Sequence, residues 1–171
     1  MMGRKTLTII VEPATFTITR DGSVVGNIFF KLNGAFFPDY RWSDFPVPIL
    51  SWWVEAVLHL ISGDKKEEEL LFMDGPQFVG VTALGSEMWG VTFLRGLTER
   101  QPEPPYSPIE GNGSRQAKAH EYDVSVNPLI ASLLEATDAV ISECAKRDFR
   151  SDDIAELRPL RDRLANSMGN S

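Results

Sequence analysis

The stretch Thr15-Phe16-Thr17-Ile18-Thr19-Arg20-Asp21-Gly22-Ser23-Val24-Val25-Gly26-Asn27-Ile28-Phe29-Phe30-Lys31 decides the fold class. Phe16 and Ile18 alternate with threonines, which is the period-two pattern of a half-buried strand. Asp21-Gly22 then offers two residues that tolerate positive φ, and Val24 to Lys31 is apolar enough to return as the partner strand. Gly26 inside that return marks a bulge or a close approach to the backbone. An antiparallel hairpin therefore stands near the N-terminus.

Working outward, Thr6 to Glu12 is β-branched and apolar and reads as a further strand that Pro13 ends. Downstream, 33–48 is a connection rich in aromatics and turn residues, expected to pack over the sheet edge. A helix is expected from about Pro48 to Ser62, with Pro48 in its first turn and Gly63 just past its end. Its polar interruptions Ser51, Glu55 and His59 recur at i, i+4 and i+8, so one narrow stripe faces water or a partner.

Leu70 to Met73, Gln77 to Leu84 and Met88 to Leu94 read as strands, and Asp64 to Glu69 as a solvated loop or strand entry. The stretch 98–118 holds Pro102, Pro104, Pro105 and Pro108 and is expected to be a mobile loop. His120 to Val126 gives one more strand. Asn127 as N-cap and Pro128 at the first position then open a second helix, with Ile130, Leu133, Leu134, Thr137, Ile141 and Cys144 as its buried stripe. A third helix starts at Ser151, where Asp152 and Asp153 suit the helix dipole, and Pro159 is expected to kink or split it. The tail from Asn166 is expected to fray. Strands come as hairpins and helices do not alternate with them. The expectation is one α+β domain over 1–171: an antiparallel sheet of about six to seven strands against a central apolar helix and two C-terminal helices.

Charge and chemistry narrow the function. Between Leu32 and Leu94 nine acidic residues stand against three basic ones, so −6 of the chain's net −7 lies there. Phosphate binding needs clustered Lys and Arg, so nucleic acid and anionic membrane are poor partners, and a basic protein is the natural complement. The start is too β-like for a signal peptide and no stretch is long enough to span a membrane; with Cys144 the only cysteine, a reducing, cytoplasmic setting is expected.

Catalytic groups are sparse. Glu55 and His59 could share a ligand across one helix turn, but two ligands do not make a metal site. Cys144 on an apolar stripe reads as a buried structural thiol. Gly111-x-Gly113-Ser114 lacks the Lys-Ser/Thr ending of a phosphate loop, and neither a G-x-S-x-G elbow nor an H-E-x-x-H helix occurs. No catalytic residue, cofactor or metal ligand is assigned. The constellation that stands out is aromatic and acidic, Phe37-Pro38-Asp39-Tyr40-Arg41-Trp42-Ser43-Asp44-Phe45, because Trp, Tyr and Arg dominate interface hot spots. Candidate partner-binding residues are Asp39, Tyr40, Trp42, Asp44, Glu67, Glu68, Glu69 and Asp74. The alternative is a structural corner, with Trp42 and Phe45 pinned into the core and Asp39 and Asp44 capping turns.

The order of these features carries a resemblance. N-terminal strands lead to Phe37-Pro38-x-x-x-Trp42-x-Asp44-Phe45, then to an apolar helix with Trp52-Trp53, then to Phe72-Met73-Asp74-Gly75-Pro76 and a strand with Trp89. Over roughly residues 5 to 95 this resembles the small acidic immunity proteins encoded beside bacterial polymorphic toxins of the contact-dependent or Rhs type. The resemblance implies a cytoplasmic, single-domain antitoxin that binds a cognate toxin and masks its active site or substrate surface. It transfers no residue roles. A monomer is expected rather than a dimer, and the rival reading is a secretion chaperone or adaptor for an effector protein.

Overall fold

The computed structural model describes residues 4–94, 107–108 and 121–169. The hairpin is present: β1 (Leu7–Ile18) pairs antiparallel with β2 (Val24–Leu32), placing Leu7 against Leu32, Ile9 against Phe30 and Val11 against Ile28. Gly22 takes φ 88 in the turn, where the Thr19 hydroxyl bonds the Asp21 carboxylate. Pro13 does not end β1. The register shifts between Glu12 and Thr17, and that irregularity admits a residue with no N–H to give to the ladder. Gly26 lies opposite, and a Cβ there would collide with the Phe16 ring, so it marks a close approach.

Two short strands, β3 (Ala35–Phe37) and β4 (Ser43–Asp44), both pair with β2, at residues 30–32 and at Gly26–Asn27 respectively. Then comes α1 (Pro46–Ser62), which starts two residues earlier than expected, with Pro46 in its first turn and Gly63 closing it at φ 83. Next are β5 (Glu67–Leu71), β6 (Phe78–Ala83), β7 (Met88–Leu94), the two-residue β8 (Ser107–Pro108) and β9 (Tyr122–Ser125). The glutamates 67–69 therefore take the second of the two expected forms, the entry of a strand. The expected loop at 98–118 lies outside the described residues apart from 107–108, and so does the expected strand start at residue 120.

These strands form two sheets, not one. The first runs β1-β2-β3-β8 with β4 also on β2, and its β3–β8 pair is parallel; the second runs β5-β6-β7-β9 and is antiparallel throughout. Among the described residues a single parallel bridge joins them, in which Lys5 N donates to Asp123 O at 2.9 Å and Ser125 N to Lys5 O at 3.2 Å. The physical reason for two sheets is α1. A helix apolar on nearly all sides cannot be satisfied by one sheet face, and here it is enclosed by β2, β5 and the two later helices. Trp53 anchors it: fully buried, stacked on Phe30 at 4.6 Å and edge-on to Phe72 at 5.2 Å, with Nε1 donating to Leu71 O at 2.8 Å.

The second helix, α2 (Val126–Lys146), follows β9 without a loop. Its N-cap is Ser125 rather than Asn127, because Val126 N donates to Glu87 O and the turn closes two residues early. Ile130, Leu133, Thr137 and Cys144 are buried as expected, and Leu134 and Ile141 pack against the core. This helix also closes the free edge of β1. Ile9 N donates to Ser132 Oγ at 2.7 Å, and Arg147 reaches back to Phe16 O at 2.6 Å and Pro13 O at 3.2 Å.

The third, α3 (Asp152–Gly169), opens with Ile154 N donating to Ser151 Oγ at 3.3 Å and runs unbroken through Pro159. Ala155, whose carbonyl loses its helical donor to Pro159, is exposed, so water can take that bond. Arg161 clamps Asp138 of α2 through Nε at 2.6 Å and Nη2 at 3.2 Å, which holds the guanidinium still more firmly charged. α3 continues past Asn166 to Gly169, with Met168 packed on the core and Ser167 Oγ donating to Leu164 O. Among the described residues no helix is long and apolar enough to cross a membrane.

Candidate partner-binding surface

The aromatic corner is organised around Asp44. This carboxylate is 2% exposed. Its Oδ2 accepts from Trp42 Nε1 at 3.0 Å and from Asp74 N at 3.1 Å, and its Oδ1 accepts from Phe45 N at 2.8 Å. A buried carboxylate with three donors is satisfied, so Asp44 shapes the corner and does not present itself to a partner. Trp42 is half-buried, packs on the core with its ring 6.3 Å from Phe72, and gives its carbonyl to Ile28 N at 2.9 Å. Both were expected as binding residues; the structural role explains them better.

Tyr40 and Asp74 remain at the surface of this corner. Tyr40 is 44% exposed, with its ring 4.9 Å from Phe36 and 5.9 Å from Phe29, on the face of the first sheet that points away from the core. Asp39 Oδ1 accepts from Tyr40 N at 2.8 Å. Arg41 sits at φ 57, an uncommon conformation for a side chain with a Cβ, and its Nε lies 3.2 Å from Glu12 Oε1. The Asp44–Asp74 bond thus draws Tyr40, Trp42, Asp44 and Asp74 into one corner.

The glutamates of β5 divide by strand alternation. Glu68 points with Leu70 and Phe72 toward the core side, where its Oε1 lies 2.8 Å from His59 Nδ1 and 3.3 Å from Lys65 Nζ. Glu67 and Glu69 point the other way and are exposed. Their strand reaches Asp74 only after five more residues, at most about 18 Å of chain, so corner and strand are neighbouring parts of one side rather than one compact site.

The polar stripe of α1 is displaced from the expected one. Ser51 is buried, and its Oγ has no hydrogen-bond partner among the described residues. The outward positions are Trp52, Glu55 and His59, spaced i, i+3, i+7, and Trp52 is 41% exposed. His59 pairs with Glu68 and not with Glu55. Trp52 is the residue that sequence reading missed; its signal was the Trp52-Trp53 pair, since successive helical positions lie about 100° apart and both cannot face one core. Leu71 and Met73, at 39% and 41% exposed, continue the outer side of β5 beyond Glu69.

Elsewhere, a groove of about 740 Å³ runs between the end of α1, the β6–β7 turn and the start of α2, lined by Ile61, Lys66, Leu84, Trp89 and Ile130 among others. Cys144 is fully buried and its thiol is pushed above its ordinary value, first by burial and then by Glu143. Among the described residues no three His, Cys, Asp or Glu side chains group closely enough to hold a metal ion. Set against protein-family models, curated proteins and solved structures, the chain finds no match in any of the three.

Proposed function

We propose that this chain is a non-catalytic binding protein, an immunity protein that neutralises a cognate, basic bacterial toxin domain in the cytoplasm by masking its active site or substrate surface. The observation that carries the reading is the placement of charge. Of the nine acidic residues between 32 and 94, six are exposed (Glu55, Asp64, Glu67, Glu69, Asp74 and Glu87), while Asp44 and Glu68 are used internally. The exposed carboxylates supply electrostatic steering, and the exposed rings of Tyr40 and Trp52 supply aromatic anchors.

The test is the double reversal Glu67→Lys/Glu69→Lys, which leaves the His59–Glu68 pair in place. Association with the partner recovered by pull-down from the source cell is followed at low and high salt. The expected result is an association rate at least about tenfold slower at low salt, converging with the unaltered chain at high salt. An unchanged, salt-independent rate overturns the reading. The second reading, a secretion chaperone or adaptor, is favoured by one feature, the apolar groove with Ile61 and Leu84 exposed on it. Light scattering separates the two, because the immunity reading expects a monomer and the chaperone reading a dimer.

A further inference from the structure

Among the described residues β5 is the end strand of its sheet, and its outward edge is unpaired where the glutamates stand. Ala83 N donates to Lys66 O at 2.8 Å and Phe72 N to Gln77 O at 3.2 Å. Those bonds mark the alternate positions at which β5 and its flanks face β6, so the N–H and C=O groups of Glu67, Glu69 and Leu71 point away from it. Trp53 Nε1 takes the carbonyl of Leu71. Among the described residues no hydrogen bond reaches the outward backbone groups of Glu67 or Glu69. The side chains of Glu67, Glu69 and Leu71 share one face of this edge, and Met73 follows just past its end.

We infer that this edge receives an extended basic segment of the partner protein as an added strand. Lysine or arginine side chains of that segment stand opposite Glu67 and Glu69, and an apolar side chain lies against Leu71 and Met73. Backbone pairing supplies the affinity and the alternating side chains the selectivity. A second copy of this chain is the wrong occupant: antiparallel pairing of two such edges sets glutamates against glutamates, and like charges directly opposite destabilise a ladder. The carboxylates that guard the edge against self-association are the ones that attract a basic strand. This inference rests on the proposed binding of a basic protein and adds the mode of contact.

The experiment uses the full chain and a blocked peptide that alternates lysine with valine, beside the same peptide methylated on alternate backbone nitrogens, which keeps its charge. The expected result is slowed amide exchange at Glu67 and Glu69 on adding the first peptide, with affinity at least about tenfold lower for the methylated one. Glu69→Pro removes an outward N–H without touching the β5–β6 ladder, and it is expected to lower affinity for the unmethylated peptide well below that of Glu69→Gln, which removes the charge alone; equal affinity of the two variants overturns edge pairing. Equal binding of the two peptides, or protection that appears elsewhere, overturns edge pairing. If the source-cell partner still binds with salt sensitivity in that case, the proposed function stands without it; if edge pairing holds but no basic partner associates, the proposed function fails instead.

Discussion

The Asp44 carboxylate accepts the indole N–H of Trp42 at 3.0 Å while holding the backbone of Asp74, thirty residues further on, at 3.1 Å. One buried side chain thereby ties the corner after β3 to the turn after β5. Asp44→Ala leaves three donors without their acceptor and is expected to cost roughly 2–4 kcal/mol. Trp42→Phe removes one donor and some packing and is expected to cost less, about 1–2 kcal/mol. Urea unfolding checks both, through a lower midpoint at unchanged slope.

Gly26 and Phe16 are expected to behave as one unit. Gly26→Ala forces the Phe16 ring to move, at a cost of about 1–3 kcal/mol. In a Phe16→Ala background the ring clash is gone and only the Phe16 Cα, 3.2 Å from the added Cβ, stays close, so the double-mutant cycle is expected to show a coupling of about 1 kcal/mol or more. Additive costs would mean that the ring does not rest on this glycine.

Arg147 holds the irregular middle of β1 by two carbonyls. Arg147→Met keeps much of the stem but leaves Phe16 O and Pro13 O unpaired, with an expected loss of about 1–2 kcal/mol. Hydrogen exchange is expected to quicken first in β1 near the bulge and not in the second sheet.

Cys144 is expected to resist alkylation in the folded chain and to react only on unfolding, since burial disfavours its thiolate. Its raised value also sets a direction in pH. Above the ordinary thiol value the unfolded chain releases a proton that the folded chain retains, so this contribution is intact at neutral pH and is lost as pH rises through the alkaline range. Cys144→Ala is expected to flatten that alkaline decline in stability; an unaltered decline would assign it to other groups.

The local elements were legible because their causes are local. Asp21-Gly22 set the first hairpin, Gly63 ended α1, and Ser151 with Asp152 and Asp153 opened α3, each by chemistry within a few residues. What was not legible depends on distant neighbours. Nothing near Pro13 shows that Arg147 and a shift of register will carry the strand past it. The split into two sheets goes with α1 being enclosed on all but its Trp52–Glu55–His59 face, which is a property of the assembled layers. At the candidate site, Glu67 and Glu69 stand exposed on the outer side of β5. The hold of Asp44 on the Asp74 backbone, thirty residues on, and the capture of Glu68 by His59 across a helix end and a turn appear only once the elements meet.

The bond from Ile9 to Ser132 spans 123 residues, and the Lys5 bridge to β9 is of similar reach. β1 is thus made before α2 and β9, which seal it. Until α2 has been synthesised, β1 carries a bare edge and α1 a largely uncovered apolar circumference, so premature termination before residue 126 would yield a sticky fragment rather than a smaller working domain. Tolerance to nonsense mutation should end abruptly along this gene, and a selection for soluble truncated products would map where it does.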